Sequence, residues 1–520
     1  MADTEPEIVA ALLDPEAYPR RPRSVELRET HISWVFLAGD HAYKLKKPLV
    51  LPFLDYGTLE RRREMCHREV QLNRRLAPEI YLGVVAVARR GTRFEIAPED
   101  DREAVEYAVE MRRVEADRSL AALAGAGELA PGHLDAVAVA LARFHSEAAV
   151  AQPEDRDVGI AVAALEENLE TIRAAGADVI GVAPIAAAEG FTRAWLARRG
   201  GELAARADAG LIRDCHGDLR AEHVIVPRAG DVYVYDCVEF NPALRLIDVA
   251  ADFAFLVMDL ARLGVDWAAE RLTGSYREAG GDPGDDRLLT FFAAYRAWVR
   301  AKVACLPSAE LPATDHGRGA AEAEARELFR LGRRFGWRAR EPAVLAVAGV
   351  AGSGKTTLAR ELAELSGWPH LDSDRVRKRL AGVAPGERAG AAAYGVELTL
   401  RTYRELGLAA REALASESGA IVDASFHRRD ERDAFRSGLG GAGRLVFLEC
   451  TAPRDILHRR VHRRERDPAR VSDAGVEIVD LQLARAEPLD EVPAGELATV
   501  LTERPAAELT SEAERLLDGS

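Results

Sequence analysis

The sequence predicts two domains, an α+β domain followed by an α/β domain whose sheet is parallel. The length of 520 residues is more than one hydrophobic core usually organises. A lysine-bearing hairpin and a long charged helix are indicated over residues 31–76. After residue 343, apolar strands alternate with helices, which is the order that builds a parallel sheet. We therefore expect one domain over residues 1–335 and a second over residues 340–520.

The composition is that of an ordinary globular protein, with 48% hydrophobic and 30% charged residues. The net charge of −15 argues against a protein that coats nucleic acid. The five cysteines form no C-x-x-C pair, and the N-terminus lacks the apolar core of a signal peptide. No apolar run approaches the ~18 residues that a membrane span needs. We expect a cytoplasmic protein with no membrane partner.

The N-terminal hairpin, residues 31–47, alternates apolar and polar side chains around a Gly-Asp turn. Lys44 and Lys46 are two residues apart and therefore share one face of a strand. The next segment, residues 58–76, is a charged helix that carries Glu69. A strand lysine paired with a helix glutamate holds ATP in protein-kinase-like folds. Lys44 is our expected ATP-binding lysine, with Lys46 as the alternative and Glu69 as the partner.

A second hairpin follows the triplet His216-Gly217-Asp218, and Asp236 ends its second strand. This segment has an H-G-D triplet, then a hairpin, then an aspartate. It resembles the catalytic core of aminoglycoside phosphotransferases and related small-molecule kinases. The resemblance implies a bilobal protein-kinase-like fold over the first domain. It also implies that Asp218 accepts the proton of the substrate hydroxyl and that Asp236 is the principal Mg²⁺ ligand.

One position departs from that family's pattern, since His223 stands where an asparagine ligand to Mg²⁺ is expected. Imidazole is a poorer ligand for Mg²⁺ than an amide oxygen is. Three roles are open to His223: it binds a metal ion such as Mn²⁺, contacts a phosphate, or only packs. Further along, the resemblance implies that Asp252 braces the catalytic loop.

The most specific motif is G-x-x-x-x-G-K-T, which stands between an apolar run and a helical pattern. Its glycines let backbone N–H groups turn inward around a phosphate, and the helix N-terminus adds positive potential. Lys355 is expected to reach the outer phosphates, and the Thr356 hydroxyl to bind Mg²⁺. The predicted nucleotide-binding residues are Gly349, Gly352, Ser353, Gly354, Lys355, Thr356 and Thr357.

The segment after this loop, Asp372-Ser-Asp374-Arg-Val-Arg377, resembles P-loop kinases of the gluconate-kinase, zeta-toxin and polynucleotide-kinase kind. The resemblance implies that Asp374 activates a substrate hydroxyl and that Arg377 binds the substrate. Asp372 is the alternative base, and Asp374 can also cap the helix. Asp423 closes a buried strand and takes the place of a second acid near Mg²⁺.

A basic helix and loop, residues 459–474, resemble the lid of these kinases, whose arginines clamp the phosphoryl group. Arg459 and Arg463 share one helix face and are the predicted clamp. A solvated basic face or an RNA-contacting patch is the alternative.

The whole chain thus resembles bacterial bifunctional proteins that join an aminoglycoside-phosphotransferase-like module to a P-loop ATP-binding module. This resemblance implies an ATP- and Mg²⁺-dependent phosphotransferase acting on a hydroxyl of a sugar, an aminoglycoside-like or a nucleoside-like molecule. One alternative is a pseudokinase sensor fused to a nucleotide or RNA-end kinase. Another is a non-catalytic binding module switched by ATP. The acceptors and the oligomeric state are left open.

Overall fold

The computed structural model describes residues 5–51, 54–310, 316–384, 387, 390–416, 419–465 and 476–519. The chain forms two compact units, residues 1–162 with 202–296, and residues 163–201 with 297–520. Among the described residues, no helix combines the length and the apolar character that a membrane span requires. The expected domain limits stay a prediction, because compactness does not establish which segments fold alone.

The described residues form helices and strands of ordinary length. The helices are α1 (Glu5–Ala11), α2 (Leu59–Asn73), α3 (Leu120–Gly125), α4 (Pro131–Glu147), α5 (Val158–Ile180), α6 (Val182–Asp208), α7 (Val249–Arg262), α8 (Asp266–Glu278), α9 (Asp286–Glu310), α10 (His316–Ala339), α11 (Lys355–Ser366), α12 (Ser373–Leu380), α13 (Val396–Ala415), α14 (Arg429–Leu439), α15 (Arg454–Glu465), α16 (Val476–Arg485) and α17 (Ala506–Asp518). The strands are β1 (Val25–Glu29), β2 (Ser33–Ala38), β3 (His41–Lys46), β4 (Val50–Leu51), β5 (Leu54–Asp55), β6 (Tyr81–Arg90), β7 (Arg93–Ala97), β8 (Ala104–Arg112), β9 (Ile212–Asp214), β10 (Val224–Ile225), β11 (Tyr233–Val234), β12 (Leu246–Asp248), β13 (Ala343–Ala348), β14 (His370–Asp372), β15 (Ala420–Asp423), β16 (Arg444–Thr451) and β17 (Leu497–Leu501).

The first unit begins with an antiparallel sheet of six strands in the order β1-β2-β3-β8-β6-β7. The predicted hairpin is confirmed as β2 and β3, with Val35 opposite Lys44 and Ser33 opposite Lys46. Successive side chains of β3 alternate between two faces. Tyr43 and Leu45 pack in the cluster on one face, whereas the two lysines point to the face that α2 covers.

The rest of the first unit is mostly helical and includes two small antiparallel pairs, β10 with β11 and β12 with β9. Helix α7 is buried along nearly its whole length, and it includes Asp252, which is 0% exposed. The predicted catalytic residues lie in the loops before β10 and after β11. Helix α7 contacts the first of these loops through Asp252.

The second unit contains a parallel sheet of five strands in the order β14-β15-β13-β16-β17. Apolar clusters cover both faces, with α11 and α17 on one side and α13 and α14 on the other. The predicted parallel sheet flanked by helices is confirmed. Asp372 pairs with Asp423 and Val347 pairs with Asp423 across neighbouring strands. The acids at the strand ends therefore meet beside the glycine-rich loop.

Helix α10 belongs to the core of this second unit. The buried Arg333 and Arg340 donate to Glu514 and Asp518 of α17, each at 2.7 Å. Trp337 of α10 is 0% exposed and packs edge-on against Trp368. The hydrophobic core that supports the parallel sheet thus begins before β13.

Two candidate phosphate-transfer sites

Two lysines of β3 share one glutamate of α2. Lys44 Nζ lies 2.9 Å from Glu69 Oε1, and Lys46 Nζ lies 2.7 Å from Glu69 Oε2. Lys44 also donates to Asp236 Oδ1 at 2.5 Å, while Lys46 donates to Glu239. Lys44 is 12% exposed and Lys46 is fully enclosed. Lys44 therefore joins the predicted glutamate to the predicted metal carboxylate.

The charges of this group shift one another's protonation. Burial by itself would lower the pKa of both lysines, but the neighbouring carboxylates raise it well above the ordinary value. Burial would raise the pKa of Asp236, but chiefly the charge of Lys44 holds it well below its usual range. The lysines and Asp236 are therefore ionised at neutral pH.

The loop of His216, Gly217 and Asp218 is held by a buried carboxylate on helix α7. Asp252 accepts hydrogen bonds from the N–H groups of His216 at 3.0 Å and Gly217 at 2.8 Å. The prediction that Asp252 braces the loop is confirmed. Gly217 has φ +86°, and a Cβ there would lie 2.8 Å from the carbonyl oxygen of Leu244, so the turn requires glycine.

His145 supports the brace, since its Nε2 lies 3.2 Å from Asp252 and its Nδ1 lies 2.7 Å from the hydroxyl of Tyr276. His145 is buried and packs behind the loop. The brace and its partner are both wholly enclosed in the first unit.

Asp218 and Asp236 flank His223. His223 Nδ1 lies 2.9 Å from the backbone oxygen of Asp218, and its Nε2 lies 3.7 Å from Asp236 Oδ2. The two carboxylates remain 27% and 39% exposed, so both can be reached from solvent. Asp236 has φ +67°, which is rare for a residue with a side chain and aims its carboxylate toward Lys44. A carboxylate and an imidazole nitrogen at this spacing suit a divalent cation.

Two further residues of this site were missed by sequence reasoning. Arg220 Nε donates to the carboxylate of Asp218 at 3.1 Å, and its Nη2 lies 3.2 Å from His223 Nε2. Glu239 accepts from Lys46 and, at 2.5 Å, from the hydroxyl of Tyr56. Arg220 lies two residues after Asp218, and Glu239 lies three residues after Asp236. This closeness to predicted site residues is the only signal that the sequence offers.

The glycine-rich loop has the conformation that its glycines were expected to provide. Gly349, Gly352 and Gly354 have φ of +144°, +81° and +92°. A Cβ at Gly349 would lie 2.6 Å from the carbonyl oxygen of Cys450. Lys355 and Thr356 open helix α11, and Thr357 is exposed. A strand, an inward loop and a helix N-terminus together suit a phosphate.

Asp423 lies at the base of this loop and is 2% exposed. Burial would raise its pKa, but the neighbouring His370 and Thr356 side chains and the charge of Lys355 lower it. His370 Nε2 lies 3.6 Å from Asp423 Oδ2. Ligand atoms of His370, Asp372 and Asp423 all lie within 4.8 Å of one another. The oxygens of Asp423 and Thr356 suit a divalent cation.

The two acids before α12 differ in their roles. Asp372 caps the helix, since its Oδ1 accepts from the N–H groups of Asp374 at 2.8 Å and Arg375 at 3.2 Å. The prediction that Asp374 can cap the helix was wrong, because the helix begins at Ser373, two residues earlier than a cap at Asp374 requires. Burial, then repulsion by Asp423 and Asp374, raises the pKa of Asp372.

Arg377 lies one turn after Asp374 and is 8% exposed. It donates to Thr399 Oγ1 at 2.9 Å and lies 5.1 Å above the ring of Tyr394. Burial raises the pKa of the nearby Glu431 to about 7, and the charge of Arg377 only partly opposes this increase. Sequence reasoning missed Glu431, because nothing in an acid-rich helix start marks one acid as buried.

The two predicted lid arginines, Arg459 and Arg463, are exposed, and Arg459 pairs with Asp455 on its own helix at 2.6 Å. Arg460, which lies next to Arg459 on the same helix, contacts the glycine-rich loop. It donates to Thr502 Oγ1 at 2.7 Å and to the backbone oxygen of Gly352 at 3.4 Å. The clamp role of Arg459 and Arg463 stays a prediction. The predicted lid loop, residues 466–474, lies outside the described residues.

Helix α16 also contacts the glycine-rich loop. Gln482 Oε1 accepts from the N–H of Ala351 at 2.7 Å. Ala351 packs in an apolar cluster with Leu457 and Val461 of α15 and Val479 of α16. The two helices that flank the predicted lid loop are thus tied directly to the phosphate loop.

Comparisons with known proteins agree with part of this organisation. The family model AAA_33, described as an AAA domain, matches residues 344–489. The uncharacterized protein Rv2004c of Mycobacterium tuberculosis is 33% identical over 468 residues, which cover 89% of this chain and 90% of that protein. The uncharacterized protein Mb2027c of Mycobacterium bovis matches with the same identity and coverage.

Several solved kinase structures are distantly similar. A sugar kinase from Janibacter is 22% identical and covers 34% of this chain and 95% of its own, with a TM-score of 0.26. A gluconokinase from Sinorhizobium meliloti is 24% identical over 34% of this chain and 93% of its own, with a TM-score of 0.25. A choline/ethanolamine kinase family protein from Mesorhizobium loti is 14% identical over 62% of this chain and 94% of its own, with a TM-score of 0.37. Likenesses this distant do not bear on the chemistry.

Proposed function

We propose that this chain, which belongs to one family with the mycobacterial proteins Rv2004c and Mb2027c, is an ATP-dependent kinase that phosphorylates a hydroxyl of a small molecule. The observation that carries the proposal is the meeting of Lys355, Thr356 and Asp423 at the end of a parallel sheet. The AAA domain match covers these same residues. Phosphoryl transfer needs this combination of phosphate loop, cation and acid in one place.

In the second unit, Asp374 is the proposed base that takes the proton of the acceptor hydroxyl. Arg377 lies one helical turn away and is the proposed acceptor-binding residue. Arg459 and Arg463 are proposed to clamp the transferring phosphoryl group, whose charge spreads over its oxygens during transfer. Arg460 supports the loop rather than the phosphoryl group, since it donates to Thr502 and Gly352.

In the first unit, a second phosphate-transfer site of the protein-kinase-like kind is proposed. Lys44, held by Glu69, binds the outer phosphates of ATP, and Asp218 takes the proton of a second acceptor hydroxyl. Arg220 orients Asp218 through the hydrogen bond at 3.1 Å. Lys46 is fully buried, whereas Lys44 pairs with the partly exposed Asp236. These two facts support Lys44 as the ATP-binding lysine.

Both proposed sites use ATP together with a divalent cation. Thr356 and Asp423 would hold it in the second unit, and Asp236 with His223 in the first. When bound, the cation neutralises charge on the β- and γ-phosphates. The chain's own residues bind the nucleotide, orient the acceptor and receive its proton.

The test is transfer of labelled γ-phosphate from ATP to a panel of sugars, nucleosides and RNA with a 5′ hydroxyl, using the full chain. We expect Asp218→Asn and Asp374→Asn each to abolish the labelling of a different acceptor. The exposed Asp231→Asn and Asp433→Asn are matched controls that should leave labelling unchanged. If neither Asp218→Asn alone nor Asp374→Asn alone reduces the labelling of any acceptor, the proposal is overturned.

A second candidate is favoured by His223, which replaces the expected asparagine, and by the direct pair between Lys44 and Asp236. Under it the first unit is a pseudokinase sensor and the second unit is a nucleotide or RNA-end kinase. In that case Asp218→Asn would change no labelling, and RNA ends or nucleosides would be the only labelled acceptors.

A further inference from the structure

Each candidate site has a histidine beside a carboxylate at, or two residues after, the end of a strand. His223 Nε2 lies 3.7 Å from Asp236 Oδ2 in the first unit. His370 Nε2 lies 3.6 Å from Asp423 Oδ2 in the second unit. One sheet is antiparallel and the other is parallel, so the shared arrangement does not come from a shared topology.

The hydrogen bonds of His223 fix its tautomer. Its Nδ1 lies 2.9 Å from the carbonyl oxygen of Asp218, which can only accept, so Nδ1 carries a proton. Its Nε2 lies 3.2 Å from Nη2 of Arg220, which can only donate, so Nε2 presents a lone pair. A neutral imidazole held in this way is the form that binds metal ions.

The ring of His223 is also held in place. It is 5% exposed and lies 5.4 Å from the ring of Tyr235 and 6.3 Å from that of His216. Nε2 can therefore bind a cation on Asp236 once Arg220 Nη2, which now occupies its lone pair, has moved aside, with little change in the ring itself. Fixed ligands lose less entropy on binding than mobile ones do.

His370 is placed in a similar way. Its Nε2 is buried and has no hydrogen-bond partner among the described residues. A buried nitrogen without a partner is costly unless something binds it. Asp372 adds a third ligand atom, and the three atoms lie within 4.8 Å of one another. The group thus offers one nitrogen and two carboxylate oxygens to a single cation.

We propose that both sites select Mn²⁺, a divalent first-row transition ion, over Mg²⁺. This inference rests on the proposed function, since the cation is the one that accompanies ATP. Mg²⁺ favours oxygen ligands in a strict octahedron, whereas affinity for nitrogen ligands rises from Mn²⁺ onward along the first row. Mn²⁺ accepts an imidazole and still suits the carboxylate and phosphate oxygens that complete each site.

The experiment measures Mn²⁺ binding to the full chain by electron paramagnetic resonance, with a non-hydrolysable ATP analogue and with Mg²⁺ as competitor. Asp423→Asn leaves only the first site, and Asp236→Asn leaves only the second. We expect each remaining site to prefer Mn²⁺ over Mg²⁺ by at least about tenfold more than the free analogue does. Adding His223→Asn or His370→Asn, respectively, should remove about tenfold of that preference.

A second readout uses the unaltered sites. Pulsed resonance of bound Mn²⁺ should show coupling to the nitrogen-14 of an imidazole, and each histidine variant should remove it from its own site. His31→Asn, at an exposed position, is the control that should change neither readout.

The proposal is overturned if nitrogen coupling is absent in either single-site protein, or if the metal preference of either equals that of the free analogue. Neither result depends on phosphoryl transfer, so this failure is distinct from failure of the proposed function. If Mn²⁺ binds with nitrogen coupling but no acceptor is labelled under any cation, the inference stands and the proposed function falls.

Discussion

The two candidate sites are built from different kinds of groups. The first site is built from charged side chains that hold one another, with Lys44 and Lys46 set among Glu69, Asp236 and Glu239. The second is built from backbone N–H groups, glycines and the ends of neighbouring strands. The first should therefore be sensitive to the loss of a charge, and the second to a change in backbone conformation.

The largest expected effect follows from removing Lys46. Lys46→Met would leave Glu69 and Glu239 buried without their shared partner, which we expect to cost about 3–5 kcal/mol of unfolding free energy. Urea unfolding followed by hydrogen exchange in β3 would measure this in the first unit alone.

The matched control is Lys47→Met, since Lys47 pairs with Glu29, which is 61% exposed. We expect a smaller loss than for Lys46→Met, because the partner carboxylate of Lys47 is solvated. Equal losses for the two variants would contradict the view that the first site depends on its buried charges.

The second prediction concerns pH and Glu431, which is 5% exposed. Because its pKa is raised from 4.5 to about 7 in the folded chain, its contribution to stability is fully present below 4.5 and is lost as pH rises through 7. Glu431→Gln should therefore stabilise the chain at pH 8 by up to about 3 kcal/mol relative to its effect at pH 4. Thermal unfolding across this range is the measurement, and a pH-independent difference would count against it.

The third prediction tests the backbone dependence of the second site. Gly349→Ala would bring a methyl group within 2.6 Å of the carbonyl oxygen of Cys450. We expect nucleotide affinity there to fall by about tenfold to a hundredfold, which corresponds to strain of about 1–3 kcal/mol. Calorimetric titration with the ATP analogue would measure it.

Gly367→Ala is the control for backbone strain, because Gly367 has φ +74° with no atom near its added methyl. It should cost about 1–2 kcal/mol of stability without changing nucleotide affinity. If Gly349→Ala binds nucleotide as well as Gly367→Ala does, the loop does not depend on its glycines as described.

The smallest effect separates neighbouring arginines on α15. Arg460→Met removes the hydrogen bonds to Thr502 and Gly352 and should weaken nucleotide binding by up to about tenfold. Arg459→Met should leave binding unchanged and lower only the rate of transfer. Nucleotide affinity and single-turnover rates would separate the two, and the reverse pattern would exchange their roles.

The sequence predicts those parts of each site whose residues are close along the chain. The loop from Gly349 to Thr356 is one continuous motif, and the lysines of β3 share a face because strands alternate. Asp423 could be predicted because parallel strands bring their ends to one edge.

Residues that meet only through packing could not be predicted. Glu239 reaches Lys46 across 193 positions of the chain, and no local pattern encodes that distance. On α15, the spacing of the arginines gives two possible faces, and only contact with Thr502 decides that Arg460 faces the loop. His370 looks like an ordinary strand residue until β14 is paired with β15.

Helix α10 has a consequence for how such a protein can arise by the joining of genes. Arg333 and Trp337 precede the first strand of the parallel sheet, yet Trp337 packs in its core and Arg333 neutralises the buried Glu514. A gene segment that begins at residue 340 would leave that carboxylate buried and unpaired. We therefore expect the P-loop unit to be inherited together with the helix before it, so that a recombination point tolerated by selection lies upstream of α10.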